Sequence, residues 1–219
     1  MTSAKLDGPR KKPASGGAAK QLVVFVHGYG ADGNDLIGLG DQWQNVLPDA
    51  EFVSPNAPEP CGMNPMGRQW FELTMRDPDE YLRGVNKAGP VFNEFIDAEL
   101  ERLGLDDSAL ALVGFSQGTM MSLHCGLRRK KSPAAIIGYS GTMIAPEKLK
   151  EEITVKPPIL LVHGDMDDVI PVQAMPLAAE ALKDAGVTVE THVSKGVGHG
   201  IDMQGLELGA GFLKQTFSG

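Results

Sequence analysis

The chain has 219 residues, with 20 Lys and Arg against 28 Asp and Glu, a formal net charge of −8 and 42% hydrophobic residues. That length suits one α/β domain with a large core and leaves little room for a second. The ordinary composition indicates a soluble globular protein, and the acidic balance excludes a nucleic-acid surface, which needs clustered Lys and Arg.

Residues 1–20 read as a polar N-terminal extension. They carry Lys5, Arg10, Lys11, Lys12 and Lys20 and lack the apolar run of a signal peptide. A solvated tail or a short strand around Leu6 is expected, since the three charges of Arg10-Lys11-Lys12 are few for a lipid surface. No stretch approaches the 18 or so apolar residues of a membrane span. Cys61 and Cys125 form neither a CxxC pair nor a metal-ligand spacing. Reduced thiols in a cytoplasmic protein are therefore expected, with Cys61 in a Pro/Gly/Met-rich loop where a thiol can be exposed.

Residues 21–219 alternate between short apolar runs and longer helical patterns. Strands are predicted over Gln21–His27, Glu51–Ser54, Ala109–Gly114, Ala134–Ser140, Ile159–His163 and Val187–Val193. Helices are predicted over Asp35–Leu47, Asp79–Leu103, Gln117–Arg129, Gln173–Ala185 and Gln204–Phe217. Gly89-Pro90 predicts a kink or break, and Gly186 stands where a C-terminal cap glycine belongs. The alternation predicts a single α/β domain, a mostly parallel sheet with helices on both faces and a site at the carboxyl ends of its strands. Residues 54–78 interrupt the pattern. A loop this long is functional or disordered, and Met63, Met66, Trp70 and Phe71 suggest that it packs down and walls a pocket.

Gly114-Phe115-Ser116-Gln117-Gly118 lies between the predicted strand Ala109–Gly114 and the predicted helix Gln117–Arg129. Strand, G-x-S-x-G, helix is the context of a nucleophile elbow, in which a strained turn lifts the serine hydroxyl clear of the sheet. A Cβ at position 114 or 118 is expected to collide with neighbouring chain.

A serine nucleophile needs a base, and the base an orienting acid. His199 sits in the glycine-rich loop Gly196–Ile201, after the last predicted strand. The other four histidines suit packing or turn-fixing roles: His124 in a helix, His192 within a strand, and His27 and His163 in repeated Val-His-Gly strand ends. Asp165, Asp167 and Asp168 share one turn and leave the acid open; with no further clustered acids or histidines, a metal site is not expected. The loop His27-Gly28-Tyr29-Gly30-Ala31-Asp32-Gly33 lacks a phosphate-binding signature. It is placed to supply an oxyanion donor, so the backbone N–H groups of Tyr29 and Gln117 are the expected pair.

These features resemble the small α/β-hydrolases grouped as carboxylesterases, lysophospholipases and acyl-protein thioesterases. The matching motifs are His27–Gly33, Ser54-Pro55-Asn56-Ala57-Pro58, Trp70-Phe71, Gly114–Gly118, His163-Gly164-Asp165-x-Asp167 with Pro171, and Gly198-His199. They span residues 20 to about 217. The family pattern H-G-x-x-D implies Asp167 as the acid. Asp168 stands where relatives vary, and Glu72 where they often carry Asp. The resemblance implies a serine esterase or thioesterase acting on a small-molecule ester or acylated substrate, without a cofactor and often as a homodimer. Lactone or peptide hydrolysis by the same triad, or a catalytically silent binding domain, are the alternatives. Ile37, Met63, Met66, Trp70, Phe71, Leu73, Met143 and Met166 are expected to line an acyl pocket around the elbow.

Overall fold

A computed structural model describes residues 5–74 and 79–218. In chain order the strands are β1 Arg10–Lys11, β2 Gln21–Val26, β3 Ala50–Val53, β4 Glu59–Pro60, β5 Arg68–Gln69, β6 Leu110–Phe115, β7 Ala135–Tyr139, β8 Ile159–Gly164 and β9 Val189–Ser194. The α-helices are α1 Gly33–Ile37, α2 Leu39–Trp43, α3 Glu80–Leu103, α4 Gln117–Gly126, α5 Leu149–Glu152, α6 Ala174–Asp184 and α7 Met203–Ser218. β4 and β5 form a separate hairpin; the other seven strands make one sheet in the order β1-β3-β2-β6-β7-β8-β9. Every pairing in the seven-stranded sheet is parallel except that of β1 with β3.

The near-continuous apolar runs are explained by burial on both faces. Leu22, Val24 and Val26 of β2 and Leu110 and Leu112 of β6 face one core, with Phe92 of α3 and Met121 of α4. Val23, Phe25, Ala111 and Val113 alternate to the other core, with Trp43 of α2 and Leu206 and Phe212 of α7. β9 lies at the sheet edge and is mostly exposed or half-buried.

Three local expectations are corrected. The predicted helix over 35–47 is two short helices meeting at Gly38, the first capped by Asp32, whose side chain accepts the Asn34 amide. α3 continues through Pro90 without breaking. Its buried stripe, Val85, Ala88, Phe92, Phe95 and Ile96, offsets the roughly 3 kcal/mol that an interior proline costs. Leu6 is buried in the core, and the early strand forms at Arg10–Lys11 instead, where Arg10 pairs with Glu99 of α3 at 2.7 Å. Gly186 behaves as expected. At φ +77° it ends α6, while Gly186 N donates to Lys183 O and Val187 N to Leu182 O, a Schellman cap. Both cysteines are free thiols and both are buried, Cys61 included. No helix among the described residues is long and apolar enough to cross a membrane.

Candidate active site

The expected nucleophile stands between β6 and α4 in a conformation that sterics disfavour. Ser116 has φ 53° and ψ −115°, a backbone state that costs about 1–3 kcal/mol outside glycine. Its amide donates to Tyr139 O of β7 (2.9 Å), and its carbonyl accepts the Thr119 amide (3.0 Å). The two motif glycines make the turn possible. A Cβ at Gly114 would lie 2.4 Å from Gly118 backbone, and one at Gly118 only 1.8 Å from Val26 O of β2.

Asp167 and His199 come together across the gap between the β8 and β9 loops. Asp167 Oδ2 is 2.8 Å from His199 Nδ1, and Oδ1 accepts the amides of Val169 (2.9 Å) and Ile170 (2.8 Å). Burial works to raise the Asp167 pKa, but the His199 and amide hydrogen bonds outweigh it and hold the carboxyl below its ordinary value. The ionised carboxylate can only accept, so His199 Nδ1 carries a proton, and in the neutral ring the lone pair is on Nε2. The His199 imidazole packs against Phe115, with ring centroids 4.9 Å apart, which sets it beside the elbow. Asp165 and Asp168 do not reach it. Asp168 is exposed, and Asp165 Oδ1 accepts the Gly196 amide at 2.6 Å.

The histidine loop, glycine-rich in sequence, is tied down along its length. Met166 N donates to Val197 O (3.0 Å), Ser140 Oγ to Gly200 O (3.2 Å) and Ser194 Oγ to Asp202 Oδ1 (2.8 Å). Gly164 explains the glycine of H-G-x-x-D, since a Cβ there would lie 2.2 Å from Val197 O and 2.5 Å from Gly198 O. Ser140 and Asp202 contribute here without a signal in the sequence, whereas His163 takes the turn-fixing role expected of it. His163 Nε2 lies 2.8 Å from Ile170 O, an acceptor, so that nitrogen bears hydrogen. Asp167 Oδ2 is 3.1 Å from the same nitrogen.

The backbone N–H groups of Tyr29 and Gln117 have no acceptor among the described residues. Both follow the carboxyl ends of strands, β2 and β6. The Tyr29 hydroxyl is pushed up to about 12 by burial and a hydrogen bond with Cys61, so it is not available as a base near neutrality.

The eight expected pocket residues are divided. Trp70, Phe71 and Met143 are buried in the core, and Leu73 packs against it. Ile37 packs half-buried on the opposite face of the sheet. Met63 (84% exposed), Met66 (88%) and Met166 (67%) stand out in solvent. Over its described residues, 54–74, the loop therefore packs down through Trp70 and Phe71 but not through Met63 or Met66.

A parallel sheet with a serine elbow after β6 and a carboxylate–imidazole pair after β8 and β9 defines an α/β-hydrolase. Residues 13–217 match the family model described as Phospholipase/Carboxylesterase. The chain belongs to that family, and with it to the serine hydrolases that act on carboxylic esters and thioesters. It is 31% identical over 198 residues to Esterase YpfH of Escherichia coli K12, covering 90% of this chain and 84% of that protein. It is 29% identical over 219 residues to Acyl-protein thioesterase 1 of Saccharomyces cerevisiae, covering 91% and 94%. Among solved structures it is similar to esterase PE8, with a TM-score of 0.94, 46% identity and coverage of 97% and 100%.

Proposed function

We propose that the protein hydrolyses acyl esters or thioesters by two-step acyl transfer through Ser116, His199 and Asp167. The 2.8 Å Asp167–His199 contact beside the elbow carries this reading. His199 Nε2 takes the Ser116 proton as the hydroxyl attacks the carbonyl carbon. The Tyr29 and Gln117 amides receive the oxyanion, aided by the N-terminus of α4. His199 then protonates the leaving alcohol or thiol, and water repeats the cycle on the acyl-enzyme. Asp167 holds the imidazole in the Nδ1–H tautomer and stabilises the imidazolium that forms.

The exposed side chains of Met63, Met66 and Met166 are the proposed contacts for an aliphatic acyl chain, while Trp70, Phe71 and Met143 support the loops from beneath. Relatives named as esterase and acyl-protein thioesterase agree with an acyl substrate. Fluorophosphonate labelling tests the chemistry: the wild type is expected to label at Ser116 and Ser116→Ala to lose both labelling and hydrolysis. Retained hydrolysis by Ser116→Ala sinks the reading. A p-nitrophenyl ester series from acetate to laurate tests the substrate side, and a flat profile argues against acyl-chain selection.

A further inference from the structure

We propose that Trp70 and the Gln117 side chain form a buried strut that sets the spacing between the two oxyanion amides. Trp70 is then a positioning residue for the reaction although it never meets substrate. The inference rests on the acyl-transfer reading above and assigns one of its parts a function.

The sheet alone does not set that spacing. The β2–β6 ladder ends at Val26 paired with Gly114, so the Tyr29 and Gln117 peptides lie beyond its last register pair. The Ser116 amide is committed to Tyr139 on the far side, away from β2. What bridges the gap is a chain of side-chain hydrogen bonds. Gln117 Oε1 accepts the Trp70 amide (3.0 Å), and Nε2 donates to Phe71 O (2.8 Å). The Gln117 carboxamide thus pairs with the loop as a strand's peptide group would. Trp70 Nε1 donates to His27 O at 3.0 Å. The His27 ring then lies 2.8 Å from Gly28 O through Nδ1, while its Nε2 accepts the Ala57 amide at 3.0 Å.

The Gly28 carbonyl accepts from His27 Nδ1 and belongs to the same peptide group as the Tyr29 N–H. The strut therefore runs from the residue bearing one oxyanion donor to the peptide bearing the other. Gln117 and His27 are fully buried and Trp70 is 1% exposed, so no solvent competes for these bonds. Burial also lowers the His27 pKa and favours the neutral ring that this pattern requires. Trp70 is braced edge-on against Phe92 of α3, with ring centroids 5.1 Å apart. Close packing of Gly118 on Val26 O limits approach of α4 to β2, and the strut limits separation.

The test compares Trp70→Phe, which keeps a ring against Phe92 but loses the donor to His27 O, with Gln117→Leu, which keeps the backbone N–H and removes both side-chain bonds. The readouts are kcat and KM on p-nitrophenyl acetate and the Ki of a trifluoromethyl ketone, whose adduct places an oxyanion in the hole. Both variants are expected to lose roughly ten- to hundred-fold in kcat, the scale of a misplacement of up to about 1 Å. KM should stay nearly constant, and the ketone should weaken by the same factor as kcat/KM. Where Trp70→Phe loosens the fold, benzothienylalanine at position 70 removes only the N–H at nearly constant volume. Wild-type kcat and Ki in a folded variant, or a loss of thermal stability alone, overturn the strut. Failure of the wild-type enzyme to label with fluorophosphonate overturns the acyl-transfer reading instead.

Discussion

Asp167 reaches His199 with one carboxylate oxygen, at 2.8 Å from Nδ1, while its other oxygen is pinned by the amides of Val169 and Ile170. The carboxylate cannot rotate away without giving up both amide hydrogen bonds, so its neighbours cannot readily take its place. Asp167→Asn is expected to lower kcat on the order of ten-thousand-fold by favouring the wrong imidazole tautomer. Asp168→Asn, at an exposed position, should stay within two-fold or so of wild type, as surface changes usually do. Steady-state kinetics of the two variants side by side would reverse the assignment if Asp168→Asn were the dead one.

Ser116 holds a φ of 53°, which glycine adopts freely. Ser116→Gly should therefore abolish turnover yet raise stability. Release of about 1–3 kcal/mol of strain, less the 0.5–1 kcal/mol of extra chain entropy glycine loses, leaves a gain of about 1 kcal/mol. For a domain of this size that corresponds to a Tm increase of about 2–4 °C by calorimetry. A lower Tm would mean that the turn is not strained.

Gly164 lies where the acid loop packs directly on the backbone of the base loop. A Cβ there would lie 2.2 Å from Val197 O, so Gly164→Ala must push the His199 loop away from Asp167. An activity loss of about a hundred-fold is expected, the cost of a shift near 1 Å. Fluorophosphonate labelling of Ser116 should slow in parallel. Unchanged labelling would show that the loops yield elsewhere.

Acid should weaken the fold through His124. Its imidazole pKa is lowered from 6.5 to about 4, first by burial and then by the Arg128 cation. The unfolded chain therefore takes up the proton first as pH falls. Stability is fully present above about pH 6.5 and is lost as pH drops toward 4, by about 3 kcal/mol from the full shift and roughly 2 once solvent screening of this part-exposed group is allowed for. His124→Phe should flatten the dependence of Tm on pH across that window without changing kcat at neutral pH. A slope identical to wild type would remove His124 from the account.

Most of the site was legible because its motifs are local. The glycines of G-x-S-x-G report the collision of a Cβ with chain four residues away or with the adjacent strand. The β–α alternation reports a parallel sheet whose strand ends gather the loops. Where the sequence reading failed, the deciding contacts were distant. Gly89-Pro90 reads as a kink or a break from its own chemistry, and packing against the core keeps the helix unbroken. Met63, Met66, Trp70 and Phe71 all read as apolar wall, yet two are solvent-facing and two are buried, because facing depends on the turn geometry of the β4–β5 hairpin.

From the sequence alone came Ser116, an acidic turn and His199 in that order, the mostly parallel sheet beneath them, and a family resemblance whose pattern implied Asp167. Each is encoded in periodicity or in a motif whose meaning is steric. Tertiary structure put Asp167, rather than 165 or 168, against the imidazole, and decided that Asp165 holds the histidine loop instead. It alone joined Gln117 to Trp70 and His27. Those choices depend on distances of about 3 Å between residues tens of positions apart, and no local pattern in a chain records them.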